Sequence, residues 1–118
     1  MSAGTLNIKI EQGSTYNRTY TLTDDDGVAI NMSGYRADMH IRSEHAATTT
    51  ILVASTTGDY LTIPTGTDGV ISLSIDAAAT SSLDFEIGVY DLETSDNSGA
   101  VVRLLEGTCT LSKEVTRQ

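Results

Sequence analysis

Apolar and polar residues alternate through most of this chain, and clusters of Gly, Asp, Asn and Pro interrupt the alternation at intervals. Such a period-two pattern predicts strands with one face buried and the other solvated. In residues 5–10, "TLNIKI", Leu6, Ile8 and Ile10 share one face. After the turn residues of "EQGS", residues 15–23 set Tyr16, Arg18, Tyr20 and Leu22 against five positions that are Thr or Asn. Arg18 alone spoils that inner face, and its long stem can lie along apolar surface near an edge while the guanidinium reaches water. The segment "GYRADMHIRS" carries the cleanest alternation, with Tyr35, Ala37, Met39 and Ile41 inward and Arg36, Asp38, His40 and Arg42 outward.

Beyond it, "SEHAATTT" reads as a loop, "ILVAS" and "DYLTI" as short strands, and "PTGTDG" as a turn cluster that ends the second of these. "VISLSI" places Ile71, Leu73 and Ile75 on one face. Residues 76–83, "DAAATSSL", form the one helical segment the pattern predicts, with Asp76 as N-cap. A helix this short is stable only when packed against a sheet. In "LDFEIGVYDLETSD" the inward set changes phase, from Leu83, Phe85 and Ile87 to Tyr90 and Leu92, and a bulge near Gly88 would reconcile the two. "NSGA" predicts a hairpin turn, and "VVRLLEGTCTLSKEV" has the length of one bent strand or of two, broken at Glu106 and Gly107.

Seven to nine short strands at turn spacings of about 8–12 residues, with one short helix and no parallel crossover unit, predict an all-β, antiparallel two-sheet β-sandwich. It is immunoglobulin-like in architecture only, since the Cys-Trp-Cys signature is absent. The 118 residues are read as a single domain, 1–118, with no repeat and no linker. Thr and Ser make up about a quarter of the chain, which favours strands over helices, and the regular apolar spacing argues against disorder.

Charge narrows the partners. The net charge of -9 repels a phosphate backbone and an anionic membrane surface, so neither nucleic acid nor a membrane is an expected partner. No run of about 20 apolar residues offers a spanning helix. The start "MSAGTLNIKI" lacks a secretory pattern, which predicts a protein made and used without export by the general pathway.

The candidate chemistry is sparse. Asp24, Asp25 and Asp26 are contiguous, whereas an EF-hand loop spaces its ligands at alternate positions and ends on a bidentate glutamate; here the corresponding position is Tyr35. The structural reading is that Asp26-Gly27 supplies the positive φ angles of a tight hairpin between strands ending at Thr23 and beginning at Val28, with calcium binding by the aspartates as the competing one. His40 falls on the outward face of a strand and His45 in a loop, so a metal pair is not expected. Cys109, the only cysteine, sits in an alternating segment and reads as a small buried core residue. Tyr60 is the one ring with a prospect of exposure for stacking on a sugar. No histidine is placed beside a candidate nucleophile, so no catalytic residue, cofactor or metal ligand is assigned, and no enzymatic activity is expected. The outward row Arg36, Asp38, His40 and Arg42 and the terminal "SKEVTRQ" are candidate contact surfaces.

From Ile10 to Arg117 the chain also resembles small structural proteins of tailed, cyanophage-like bacteriophages, similar to the N-terminal domain of phage baseplate upper proteins. The resemblance rests on Gly13, Asp26-Gly27, the Ser33-Gly34-Tyr35 entry into a strand ending Ile41-Arg42, the segment "LS-x-D-AAAT", Tyr90, the Asn-Gly hairpin region near Asn97 and the closing "G-x-x-x-LSKEVTR". It implies a β-sandwich in the virion, made in the host bacterial cytoplasm, that joins other virion proteins as a tail, baseplate or fibre-attachment adaptor or as a capsid cement protein. A symmetric multi-copy assembly would follow, and no catalytic residues come with the resemblance. Baseplate upper proteins continue into further domains, whereas this sequence ends at Gln118. The competing expectation is a small carbohydrate- or protein-binding module used in host recognition.

Overall fold

The computed structural model describes residues 4–115. Strands β1 (Gly4–Thr5), β2 (Ile8–Glu11), β3 (Tyr16–Thr21), β4 (Arg36–Arg42), β5 (Leu52–Ser55), β6 (Leu61–Thr62) and β7 (Val70–Ile75) are followed by helix α1 (Ala77–Ser81) and strands β8 (Ile87–Ser95) and β9 (Val101–Ser112). They form two sheets. The larger has six strands in the order β1-β9-β8-β4-β5, with β2 also on β9; the smaller has three in the order β3-β7-β6. This mostly β arrangement is compatible with a β-sandwich.

The inner faces carry the residues that alternation selects. Ile8, Ile10, Ala37, Met39, Ile41, Tyr90, Leu92, Cys109 and Leu111 of the larger sheet and Tyr20, Leu61, Ile71, Leu73 and Ile75 of the smaller are all buried in one core. Each fully buried Ile or Leu side chain contributes about 1.5–3 kcal/mol relative to exposure. Three strands cannot cover six, and the shortfall is made up by Met32 and Leu83 from connecting segments and by Thr80 of α1.

Helix α1 is shorter than residues 76–83 predict, but it begins as expected, with Asp76 Oδ1 accepting from the Ala79 N–H at 3.2 Å. It is held by Thr80, whose hydroxyl donates to the Ser14 carbonyl at 2.8 Å and accepts from the Gly13 N–H at 3.1 Å.

Three expectations are corrected. The sheet is not wholly antiparallel, because β1 and β2 both run parallel to β9. The N-terminal strand lies beside the C-terminal one, a pairing between distant segments that local pattern does not encode. No bulge lies at Gly88: β8 keeps one phase from Gly88 to Thr94, Ile87 is exposed, and Leu83 and Phe85 belong to the segment after α1. The irregularity sits on β9 instead, where Leu92 faces Leu105 and Glu93 faces Arg103, so that Leu104 is the extra residue. It shifts the buried set of β9 from Leu104 to Cys109 and Leu111, and β9 is therefore one bent strand with no break at Glu106-Gly107. Finally, β6 has two residues instead of the five of "DYLTI". Tyr60 has φ of 78°, which stops an extended run before Leu61, and Pro64 follows closely.

Candidate functional site

The aspartate run is a turn built by Asp24. Its Oδ1 accepts from the N–H of Asp26 at 2.9 Å and of Val28 at 3.0 Å, while its own N–H donates to the Val28 carbonyl. Gly27 (φ 81°) closes the loop by donating to the Asp24 carbonyl. Asp26 does not have positive φ, and no strand begins at Val28; a single bridge pairs Thr23 with Ala29. The positive angle is thus supplied by Gly27 alone, and the turn is braced by the Asp24 carboxylate rather than shaped by Asp26.

The same device recurs between β8 and β9. In "DNSGA" Asp96 Oδ1 accepts from Ser98 and Ala100 at 2.9 Å each, and Gly99 (φ 89°) donates to the Asp96 carbonyl. The Ser98 hydroxyl also donates to this carboxylate, and together these bonds hold the Asp96 carboxyl below its ordinary range. Two loops of pattern D-x-x-G-x therefore share one hydrogen-bond scheme.

The outward row of β4 lies where alternation places it, on the solvated face of the six-stranded sheet. Its neighbours there come from β8 and β9. Asp38 stands opposite Glu93, His40 opposite Asp91, and Asp91 opposite Glu106. Like charges directly opposed are destabilising, and each such pair is relieved by an arginine. Arg36 forks onto Asp38 at 2.9 and 3.0 Å, while Arg103 reaches Asp91 at 3.4 Å and Glu106 at 3.6 Å. Burial alone would raise the Asp38 carboxyl, but hydrogen bonds from Arg36 and Ser55 outweigh it and leave the group below its ordinary range.

A shallow depression of about 220 Å³ on this face is lined by His40, Arg42, His45, Asp91 and Glu106 among others. Arg42 donates through Nη1 to the Ala47 carbonyl at 2.9 Å, which folds the loop after β4 back over the sheet, and its Nη2 lies 3.2 Å from His40 Nδ1. A guanidinium has no acceptor, so Nδ1 is the acceptor in that pair. The two histidines, expected apart, border the same depression because of this fold-back; the outward charge of Arg42 was legible in sequence, its grip on Ala47 was not. Neither Ser, Thr nor Cys lines the depression. Among the described residues no group of three or more His, Cys, Asp or Glu side chains is arranged to hold a metal ion.

The remaining candidates are placed as follows. Cys109 is fully buried, and burial pushes its thiol up to about 12, as befits a core residue. Tyr60 is half-buried and packs against the core. In the terminal segment Lys113 pairs with Asp84 at 3.2 Å and Val115 is exposed, while residues 116–118 of "SKEVTRQ" lie outside the described residues.

The outer face of the three-stranded sheet has a different chemistry. It presents Asn17, Thr19, Thr21, Thr62, Ser72 and Ser74 with one apolar residue, Val70, and no charge, and Ser74 Oγ donates to Asn17 Oδ1 at 2.6 Å across the strands. Sequence alternation had already made these positions polar; that they gather on one uncharged face follows from the pairing of β3, β7 and β6. No family model matches the chain, and a comparison with curated proteins finds no match.

Proposed function

We propose that this protein is a bacteriophage virion structural protein, a tail, baseplate or fibre-attachment adaptor or a capsid cement protein, that acts through protein–protein contacts. The observation that carries this reading is the contrast between two broad sheet faces, one charged and networked by arginines, the other uncharged and dominated by hydroxyl side chains. Broad, polar faces of this kind suit contact with other proteins, whereas small-molecule sites are concave and largely apolar. The two sheets are read as immunoglobulin-like in architecture.

Residues that carry the phage resemblance also meet one another across the fold. Gly13 bonds to Thr80 of the "AAAT" segment, and Gly34 lies so close to Asn97 that a Cβ there would stand 2.7 Å from its Oδ1. This gives their order and spacing a structural reason. On this reading the chain is not an enzyme, is made in the host bacterial cytoplasm and joins other virion proteins in multiple symmetric copies. The packing of the half-buried Tyr60 against the core weakens the competing reading as a carbohydrate-binding module.

Mass spectrometry of purified particles, followed by imaging of particles labelled at Gln118, tests the proposal. Label at the tail tip or fibre roots identifies an adaptor, and label over the capsid identifies a cement protein. Absence from the particle overturns the virion reading.

A further inference from the structure

Among the described residues the two sheets leave four kinds of edge, and three of them are guarded. Proteins protect edge strands by keeping them short, by charging them or by adding proline, because unpaired N–H and C=O groups template further pairing. Strand β6 has two residues and is followed by Pro64. The four residues of β5 end where the Ser55 N–H turns back to the Asp59 carbonyl. On the far side β1 has two residues, and β2 alternates Lys9 and Glu11 into solvent.

Strand β3 is the least protected of the four. It is six residues long, has no proline and no acidic residue, and carries the single charge of Arg18. Asn17, Arg18, Thr19 and Thr21 are all exposed. The hydrogen-bond phase shows which residues face the open side. Leu22 donates to the Gly69 carbonyl, and Ser74, opposite Asn17, donates away from β3 to the Tyr60 carbonyl. Even-numbered residues of β3 therefore bond to β7, and Asn17, Thr19 and Thr21 direct their backbone groups outward. The segment at Ile30 does not cover them, because its N–H meets the Leu22 carbonyl beside Gly69, on the β7 side.

We infer that this edge is a self-association site, at which β3 pairs antiparallel with β3 of a second copy about a two-fold axis through Thr19. In that register Asn17 faces Thr21 of the other copy, Thr19 faces its own equivalent, and about six backbone hydrogen bonds form. Arg18, whose guanidinium already lies 5.9 Å from the centre of its own Tyr20 ring, stands opposite Tyr20 of the second copy. No like charges are directly opposed across residues 17 to 21, since Arg18 faces Tyr20 and Thr19 lies on the axis, and the opposed carboxylates Asp38, Glu93, Asp91 and Glu106 lie on the other sheet. For a chain of net charge -9 this edge, which carries no acidic residue, is where two copies approach with least repulsion. The pairing joins the two small sheets into one of six strands. The inference stands whether or not the chain is a virion component.

The seam is shorter than a standard interface, so a dimer with Kd between about 10 μM and 1 mM is expected. Sedimentation velocity across that range reads it directly. Thr19→Lys places two ammonium groups across the axis and weakens association about tenfold. Thr19→Cys brings two thiols within disulfide range, since Cα atoms of a hydrogen-bonded pair stand about 5.5 Å apart. Under mild oxidation it gives a covalent dimer, whereas Val53→Cys on the β5 edge does not; the buried Cys109 does not interfere. Circular dichroism of both Thr19 variants establishes that they are folded. A wild-type chain that stays monomeric throughout the range overturns the proposal. So does a dimer whose affinity is unchanged by Thr19→Lys, or equal crosslinking of the Thr19→Cys and Val53→Cys variants.

Discussion

The hydroxyl of Tyr90 donates to the carbonyl of Leu6 at 2.5 Å, joining residues 84 positions apart. Tyr90 on β8 is paired directly with Gly107 on β9, and Leu6 lies just beyond, in the break between β1 and β2. The ring therefore crosses the position where Gly107 has no side chain. A Cβ at 107 would stand 2.3 Å from the same Leu6 oxygen. One carbonyl thus fixes the identity of two residues, and through them the parallel docking of the N-terminal strand.

Tyr90→Phe removes that donor and is expected to destabilise the fold by about 1–2 kcal/mol. Gly107→Ala forces the Leu6 carbonyl to move and costs about 1–3 kcal/mol. Because both act on one oxygen, the double variant loses less than the sum in urea denaturation.

Tyr20 provides the opposite case. Among the described residues its buried hydroxyl has no hydrogen-bond partner, so Tyr20→Phe relieves an unmet desolvation cost. The variant is expected to be more stable by about 1 kcal/mol, which the midpoint of a denaturation curve reads.

The two D-x-x-G-x loops predict a matched pair of effects. Nothing crowds a Cβ at Gly27 or Gly99, so Ala at either site loses only the preference for positive φ, about 1–2 kcal/mol. Asn at the same positions costs less, since it tolerates that region. Asp24→Ala removes the acceptor of two N–H groups and raises amide exchange at Asp26 and Val28. With Oδ1 of Asp24 already committed to the turn, calcium at millimolar concentration is expected to leave Tm unchanged.

Alkaline pH is expected to weaken the fold. Burial raises the Cys109 thiol from 9.0 to about 12 and the Tyr90 hydroxyl from 10.0 to about 12. Above these ordinary values the unfolded chain releases protons that the folded chain retains, so the stabilisation is complete below pH 9 and is lost as pH rises towards 12. Cys109 accounts for about 2 kcal/mol by pH 10.5. Denaturation midpoints measured in steps from neutral pH should fall along this course, and Cys109→Ala should flatten the part below pH 10. At the acid end the sign reverses for Asp38: its contribution is present above 3.8 and disappears as pH falls through its lowered folded value.

In strands β2, β4 and β7 the sequence by itself determined which residues face the core, because a strand's side chains alternate regardless of what it pairs with. Ile8 and Ile10, the row from Arg36 to Arg42, and Ile71, Leu73 and Ile75 all lie where alternation puts them. It also determined the N-cap at Asp76 and the turns at Gly27 and Gly99, which depend on residues within five positions. What only the tertiary structure decided involves partners far apart in the chain. The parallel alignment of β1 and β2 with β9, the bulge at Leu104, the gathering of His40 and His45 around Arg42 and the open edge of β3 each depend on which strand lies beside which. Local propensity carries no information about that choice; it is settled by burying the apolar faces together while every interior N–H and C=O finds a partner.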